Sequence, residues 1–136
     1  MISGSCLCGQ VRYEVDGELG GFVHCHCRTC RKAHGSAFSS VAAVPKSAFR
    51  WVAGEALLKA YESSPGKFRS FCSNCGSHIV ANRPAQPTIL LRLGCLDTPA
   101  PGQPKCHIWR ADGASWYDPG RTLPIFAEGF PAPTRE

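Results

Sequence analysis

The 136-residue chain lacks any apolar run near the roughly 20 residues that a helix needs to cross a bilayer, so no membrane span is expected. Its first residues, MISGSCLCGQ, have neither a basic start nor an apolar stretch. They do not read as a secretory leader, and a cytoplasmic location is the expectation. Nowhere is there an amphipathic helix of any length, an internal repeat or a low-complexity linker. Missing too is a dense basic stripe interleaved with aromatics; outside residues 28 to 32 the basic residues are scattered, which argues against a nucleic-acid partner.

What is present describes one ordinary globular domain, spanning 1–136, large enough to bury its own core. Hydrophobic residues make up 43% and charged residues only 18%. Fourteen glycines and eleven prolines favour many short elements joined by turns. The net charge of +5 would suggest anionic partners. A charge that small is poor evidence for a nucleic-acid partner.

Alternation in QVRYEV, with Val11, Tyr13 and Val15 opposite Gln10, Arg12 and Glu14, predicts a strand with one buried face. GFVHCHC predicts a second strand that runs into a cysteine cluster, and a short helical turn is expected from Thr29 to His34, closed by Gly35. SAFSSVAAVP, FRWVAG, LLKAYES, KFRSF, SHIVAN, TILLRLGCL and KCHIWRA read as further short strands. From 119 to 136 the chain reads as an irregular tail, with Phe126 and Phe130 available to pack back onto the body. The fold class is mainly β.

Nine cysteines dominate the chemistry. In a reducing compartment clustered cysteines bind metals or catalyse more often than they form disulfides, and an odd number does not fit a simple paired framework. Three groups stand out: Cys6 with Cys8, then Cys25, Cys27 and Cys30, then Cys72 with Cys75. The Cys-x-x-Cys-Gly turn at 72–76 lets two thiolates converge on one ion, the glycine permitting the turn. A thioredoxin-like redox pair would need a βαβ context, and none is visible. Seven thiols divide as four plus three in two ways. Cys27 and Cys30 could join Cys72 and Cys75, leaving Cys6, Cys8 and Cys25. Alternatively Cys6, Cys8, Cys72 and Cys75 close one site while Cys25, Cys27 and Cys30 form an open one, a division that keeps each local cluster intact.

The segments GSCLCGQVRYEV, CHCRTCRKAHGSAF, FCSNCGSHI, LGCLD and HIWRADGASWYD occur in an order that resembles the glutathione-dependent formaldehyde-activating enzyme family, over roughly residues 3 to 118. The resemblance implies a zinc-containing β-tent of short antiparallel strands with little helix. It implies two Zn²⁺ per chain, a structural zinc on Cys6, Cys8, Cys72 and Cys75 and a catalytic zinc on Cys25, Cys27 and Cys30. Thr29 stands where the family often has an acidic residue, and Gly113 and Ser115 where a basic residue and a proline commonly precede the late tryptophan.

Three thiolates leave a zinc site at net −1, better suited to accepting a soft ligand than to generating hydroxide. A small thiol fits, with glutathione the leading candidate. The implied activity is that of a carbon–sulfur lyase resembling S-(hydroxymethyl)glutathione synthase. The competing reading is a non-catalytic, zinc-stabilised protein-binding scaffold. Arg28, Arg31 and Lys32 could offset the site's charge and hold the thiol's carboxylates, Arg31 and Lys32 foremost, although a solvated basic face has equal standing. His26 should point away from Cys25 and Cys27 by strand alternation. His24 and His34 have no special spacing. His107 is expected as a buried, hydrogen-bonded strand residue, and Cys95 and Cys106 as small core residues.

Overall fold

A computed structural model describes residues 1–130. Three strands make the smaller sheet: β1 (Ile2–Ser5), β2 (Arg12–Val15) and, farther along, β5 (Phe49–Ala53), antiparallel in the order β1-β2-β5. Tyr13 and Val15 of β2 are buried as the alternation requires, with Val11 just before them. Tyr13 faces Gly4 across the sheet, where a Cβ would collide with the phenol ring; glycine is what lets the ring lie flat. Phe49 stacks on the same ring at 5.1 Å. β1 is absent from the expectations above, and its sequence ISGS carries little strand signal of its own.

The larger sheet comprises β3 (Phe22–Cys25), β4 (Ser39–Pro45), β6 (Leu58–Ser64), β7 (Lys67–Cys72), β8 (His78–Asn82), β9 (Thr88–Arg92) and β10 (Pro104–Ile108). Their order is β10-β3-β4-β9-β8-β7-β6. Every pairing is antiparallel except one: β10 runs parallel to β3, placing His107 beside His24 and Ile108 beside Cys25. The expected description of short antiparallel strands therefore holds for all but this edge.

Among the described residues one α-helix interrupts the β-structure, α1 (Arg28–His34), starting one residue earlier than expected. Gly35 closes it in the left-handed conformation at φ 56°, its N–H bonded to the Arg31 carbonyl. TILLRLGCL is strand only to Arg92; Leu93–Cys95 form a 3₁₀ turn. Among the described residues no helix is long and apolar enough to cross a membrane.

Part of the expected tail is ordered against β10. His107 N–H donates to Pro124 O at 2.9 Å, Phe126 N–H to His107 O at 2.9 Å, and Arg110 N–H to Phe126 O at 3.0 Å. Phe126 is half-buried, whereas Phe130 remains 62% exposed. Residues 131–136 of that tail lie outside the described residues.

The core lies between the sheets. Val11, Tyr13 and Val15 from one side meet Val44, Ile79, Val80 and Leu91 from the other in a single buried cluster, and Cys6 and Cys72 belong to it. Each such aliphatic side chain contributes about 1.5–3 kcal/mol through burial. The first and third cysteine groups thus sit where the two sheets join.

Candidate metal centre

Two tight turns build the first thiol group. After β1 the chain folds back at Cys6–Gly9, with Gly9 N–H on Cys6 O at 2.9 Å and the Val11 N–H donating to Cys6 Sγ at 3.3 Å. After β7 the turn repeats: Gly76, at φ 80°, donates to Cys72 O at 2.8 Å. The turns face each other, and the four sulfurs of Cys6, Cys8, Cys72 and Cys75 lie within 4.8 Å of one another. Cys6 and Cys8 sulfurs are 3.4 Å apart, Cys8 and Cys72 3.9 Å. A tetrahedral zinc with Zn–S of about 2.3 Å has S···S edges of about 3.8 Å, so the donor set fits. Hydrogen bonding from Ser77 brings Cys75 down to about 5, so this group holds a ready thiolate.

The second group forms where β3 hands over to α1. Cys25 ends the strand, and Cys27 caps the helix, its sulfur accepting from Cys30 N–H at 3.3 Å. Cys30 lies inside the helix and is buried. Their sulfurs also lie within 4.8 Å of one another. Hydrogen bonds with Cys25 and Cys27 hold Cys30 far below the usual thiol range, with the charge of Arg69 adding, while those with Cys27 and Cys30, together with burial, push Cys25 far above it. Three thiolates this close repel one another, and a metal ion among them would relieve that repulsion. The chemistry of the set therefore suits a metal ion with a fourth position left open.

The structure brings together each sequence-assigned trio and quartet; the alternative quartet of Cys27, Cys30, Cys72 and Cys75 does not form. His26 is fully buried and turned away, its Nε2 2.7 Å from His107 Nδ1. His107 is buried and hydrogen-bonded as expected. His24 Nδ1 meets Ser40 Oγ at 2.9 Å. Cys106 is a core residue; Cys95 is half-buried, donating to the His78 carbonyl at 3.1 Å. The Arg31 guanidinium is engaged by the Asp112 carbonyl at 2.7 Å, tying α1 to the 110–112 turn. Arg28 and Lys32 line a cavity of about 780 Å³ beside Tyr61, Phe71 and His78.

The cations closest to the trio come from outside its own segment and were not among the sequence-based candidates. Arg69 of β7 is 3% exposed, and its Nη1 and Nη2 lie 3.7 and 3.6 Å from Cys30 Sγ, while its Nε donates to Ser63 Oγ at 2.9 Å. Lys67, Arg69 and Arg83 join Cys27 and Trp109 around a second cavity of about 250 Å³. Residues two apart share a strand face, so Lys67 and Arg69 recurring in KFRSF were the available signal. Arg92, ending β9, is buried near the same trio.

The family described as "Glutathione-dependent formaldehyde-activating enzyme" matches residues 1–112. A protein of Colletotrichum graminicola (strain M1.001 / M2 / FGSC 10212), named "Putative glutathione-dependent formaldehyde-activating enzyme", is 29% identical over 120 residues. That alignment covers 84% of this chain but 55% of the relative, so the chain spans about half the relative's length. A crystal structure of a Rhodobacter sphaeroides protein superposes with a TM-score of 0.61 at 25% identity, covering 73% of this chain and 91% of that one.

Proposed function

The chain belongs to the glutathione-dependent formaldehyde-activating enzyme family, and from that premise we propose that it is a zinc-dependent carbon–sulfur lyase or synthase acting on the adduct of a small thiol, glutathione first, with a small aldehyde. The observation that carries this is the three-cysteine group: sulfurs within 4.8 Å, a set one ligand short of tetrahedral, and Cys27 opening onto a cavity lined by Lys67, Arg69 and Arg83. In the same proposal Cys6, Cys8, Cys72 and Cys75 hold a second, structural zinc, giving two per chain. A scaffold would be expected to close both metal positions.

When bound at the trio, the metal supplies an open coordination position that lowers the pKa of an incoming thiol. The remaining work falls to the chain. Arg69 offsets the negative charge of the sulfurs from a buried position, and it keeps one Nη pair on Cys30 while Ser63 fixes its Nε. Arg28, Lys32, Lys67 and Arg83 give an anionic thiol a positive approach; Lys32 is proposed to contact it, and Arg31 to hold α1 in place through Asp112. The aldehyde would meet the sulfur in the cavity. A carbon–sulfur bond forms as the carbonyl π bond opens, and the thiol's proton ends on the new hydroxyl; the reverse reaction breaks that bond. With formaldehyde and glutathione the product is S-hydroxymethylglutathione.

The test is metal analysis of fully reduced protein purified without chelator, followed by calorimetric titration with glutathione at millimolar concentration. Two zinc ions per chain and measurable binding are expected. One zinc, or no binding to zinc-loaded protein, would favour the scaffold.

A further inference from the structure

A third cavity, polar and about 520 Å³, adjoins the 780 Å³ one at His78, and His34, His78 and Arg92 line it from three different elements. Its chemistry is unfinished. Arg92 is 4% exposed, yet its Nε and Nη2 have no hydrogen-bond partner among the described residues. The buried His34 Nε2 and His78 Nδ1 are also unpartnered. The two rings stand 5.0 Å apart between centroids. Among the described residues the only ion pairs are those of Arg50 with Glu14 and Asp16, so none of the carboxylates among them meets Arg92.

An unpaired buried cation costs several kcal/mol unless something else neutralises it. Arg69, not Arg92, makes the contact with Cys30, so the sulfurs leave the Arg92 donors free. Nε and Nη2 form one edge of the guanidinium, the edge that receives the two oxygens of a carboxylate side-on. One full positive charge flanked by two imidazoles that can donate from a neutral ring suits a planar monoanion. A phosphate dianion would call for a second fixed cation.

We infer that Arg92, His34 and His78 form a carboxylate-binding pocket that anchors the thiol ligand by one of its carboxylates beside the three-cysteine group. That the guest also carries a thiol rests on the function proposed above; the pocket itself rests on Arg92. Recognition then has two points, sulfur at the cysteine trio and carboxylate at the end of β9, and a neutral thiol uses only the first.

The experiment uses zinc-loaded protein and S-methylglutathione, which keeps both carboxylates but has no free thiol. Calorimetry should show binding to the parent, weakened about thirtyfold or more in Arg92→Gln. Arg92→Lys should fall between them, keeping charge without the fork. Because Arg92→Gln removes an unpaired charge, the unliganded variant should melt no lower than the parent. Equal binding by parent and Arg92→Gln, no binding by the parent, tighter protection by inorganic phosphate than by S-methylglutathione, or a much lower melting point for unliganded Arg92→Gln each overturns the pocket. 2-Mercaptoethanol added to cobalt-loaded protein reports on the metal site separately. If it leaves the visible spectrum unchanged while S-methylglutathione binds through Arg92, the thiol reading fails and the carboxylate pocket stands. If it shifts the spectrum while S-methylglutathione does not bind, the reverse holds.

Discussion

Replacing Arg69 by methionine should weaken metal binding at the three-cysteine group and leave the four-cysteine group untouched. The guanidinium lies 3.6 Å from Cys30 Sγ at its nearer nitrogen and is 3% exposed. At an effective dielectric of about 20, unit charges at that separation attract by about 4.6 kcal/mol. The excess negative charge of a filled trio is spread over three sulfurs, of which Arg69 touches one. A third of the attraction, about 1.5 kcal/mol, corresponds to about tenfold in affinity. That lies at the lower end of the 10- to 100-fold range typical for groups that support metal ligands. Methionine fills similar volume, so packing loss should be small. Competition against a chromophoric zinc chelator resolves the two ions by affinity. The expected result is one ion unchanged and one weakened about tenfold, with Arg69→Lys between. Two unchanged affinities, or equal weakening of both, would refute the electrostatic role given to Arg69.

Cys72→Ser should give an unstable or insoluble protein, because the four-cysteine clamp joins the two sheets through residues of the shared core. Cys27→Ser should fold, retain about one zinc and lose thiol binding, since its group closes only a short loop; melting points and zinc content check both, and the opposite pattern would reverse the assignment of the sites. His34 is held down to about 4, mainly by burial and then by Arg92 and His78. Its folded-state value lies below the ordinary 6.5, so between about pH 6.5 and 4 the unfolded chain binds more protons, and this contribution to stability is lost as the pH falls. NMR titration of the ring should show His34 neutral to near pH 4; a midpoint near 6.5 would contradict the buried environment.

Local chemistry was readable from the sequence; the partners across the sheet were not. Cys-x-Cys and Cys-x-x-Cys place thiols within a turn of each other whatever the rest of the chain does, which is why all seven ligands of the proposed metals could be named. Dividing them into groups needed more than spacing, because the quartet depends on β1 and β7 being brought together through the core. Alternation marked β2 and located the buried Tyr13. It gave no hint of β1, whose strand character comes from pairing with β2 and from Gly4 making room for that ring. Nor could a strand's own pattern reveal that β10 runs parallel to β3. Arg69 and Arg92 look like ordinary strand cations until β7, β9 and α1 meet around the trio. Arg31 and Lys32 drew attention by lying close to the cysteines in sequence, yet it is Arg69, 39 residues from Cys30, that touches the sulfur.

In the proposed reaction Cys25, Cys27 and Cys30 hold a zinc ion whose fourth position takes the sulfur of a small thiol. Zinc-edge X-ray absorption on doubly loaded protein, saturated with the reduced selenol analogue of glutathione, tests it directly. A selenium neighbour is expected at about one-half per zinc, one for each open site and none for each closed one. An all-sulfur or sulfur-and-light-atom shell with no selenium under those conditions would contradict it.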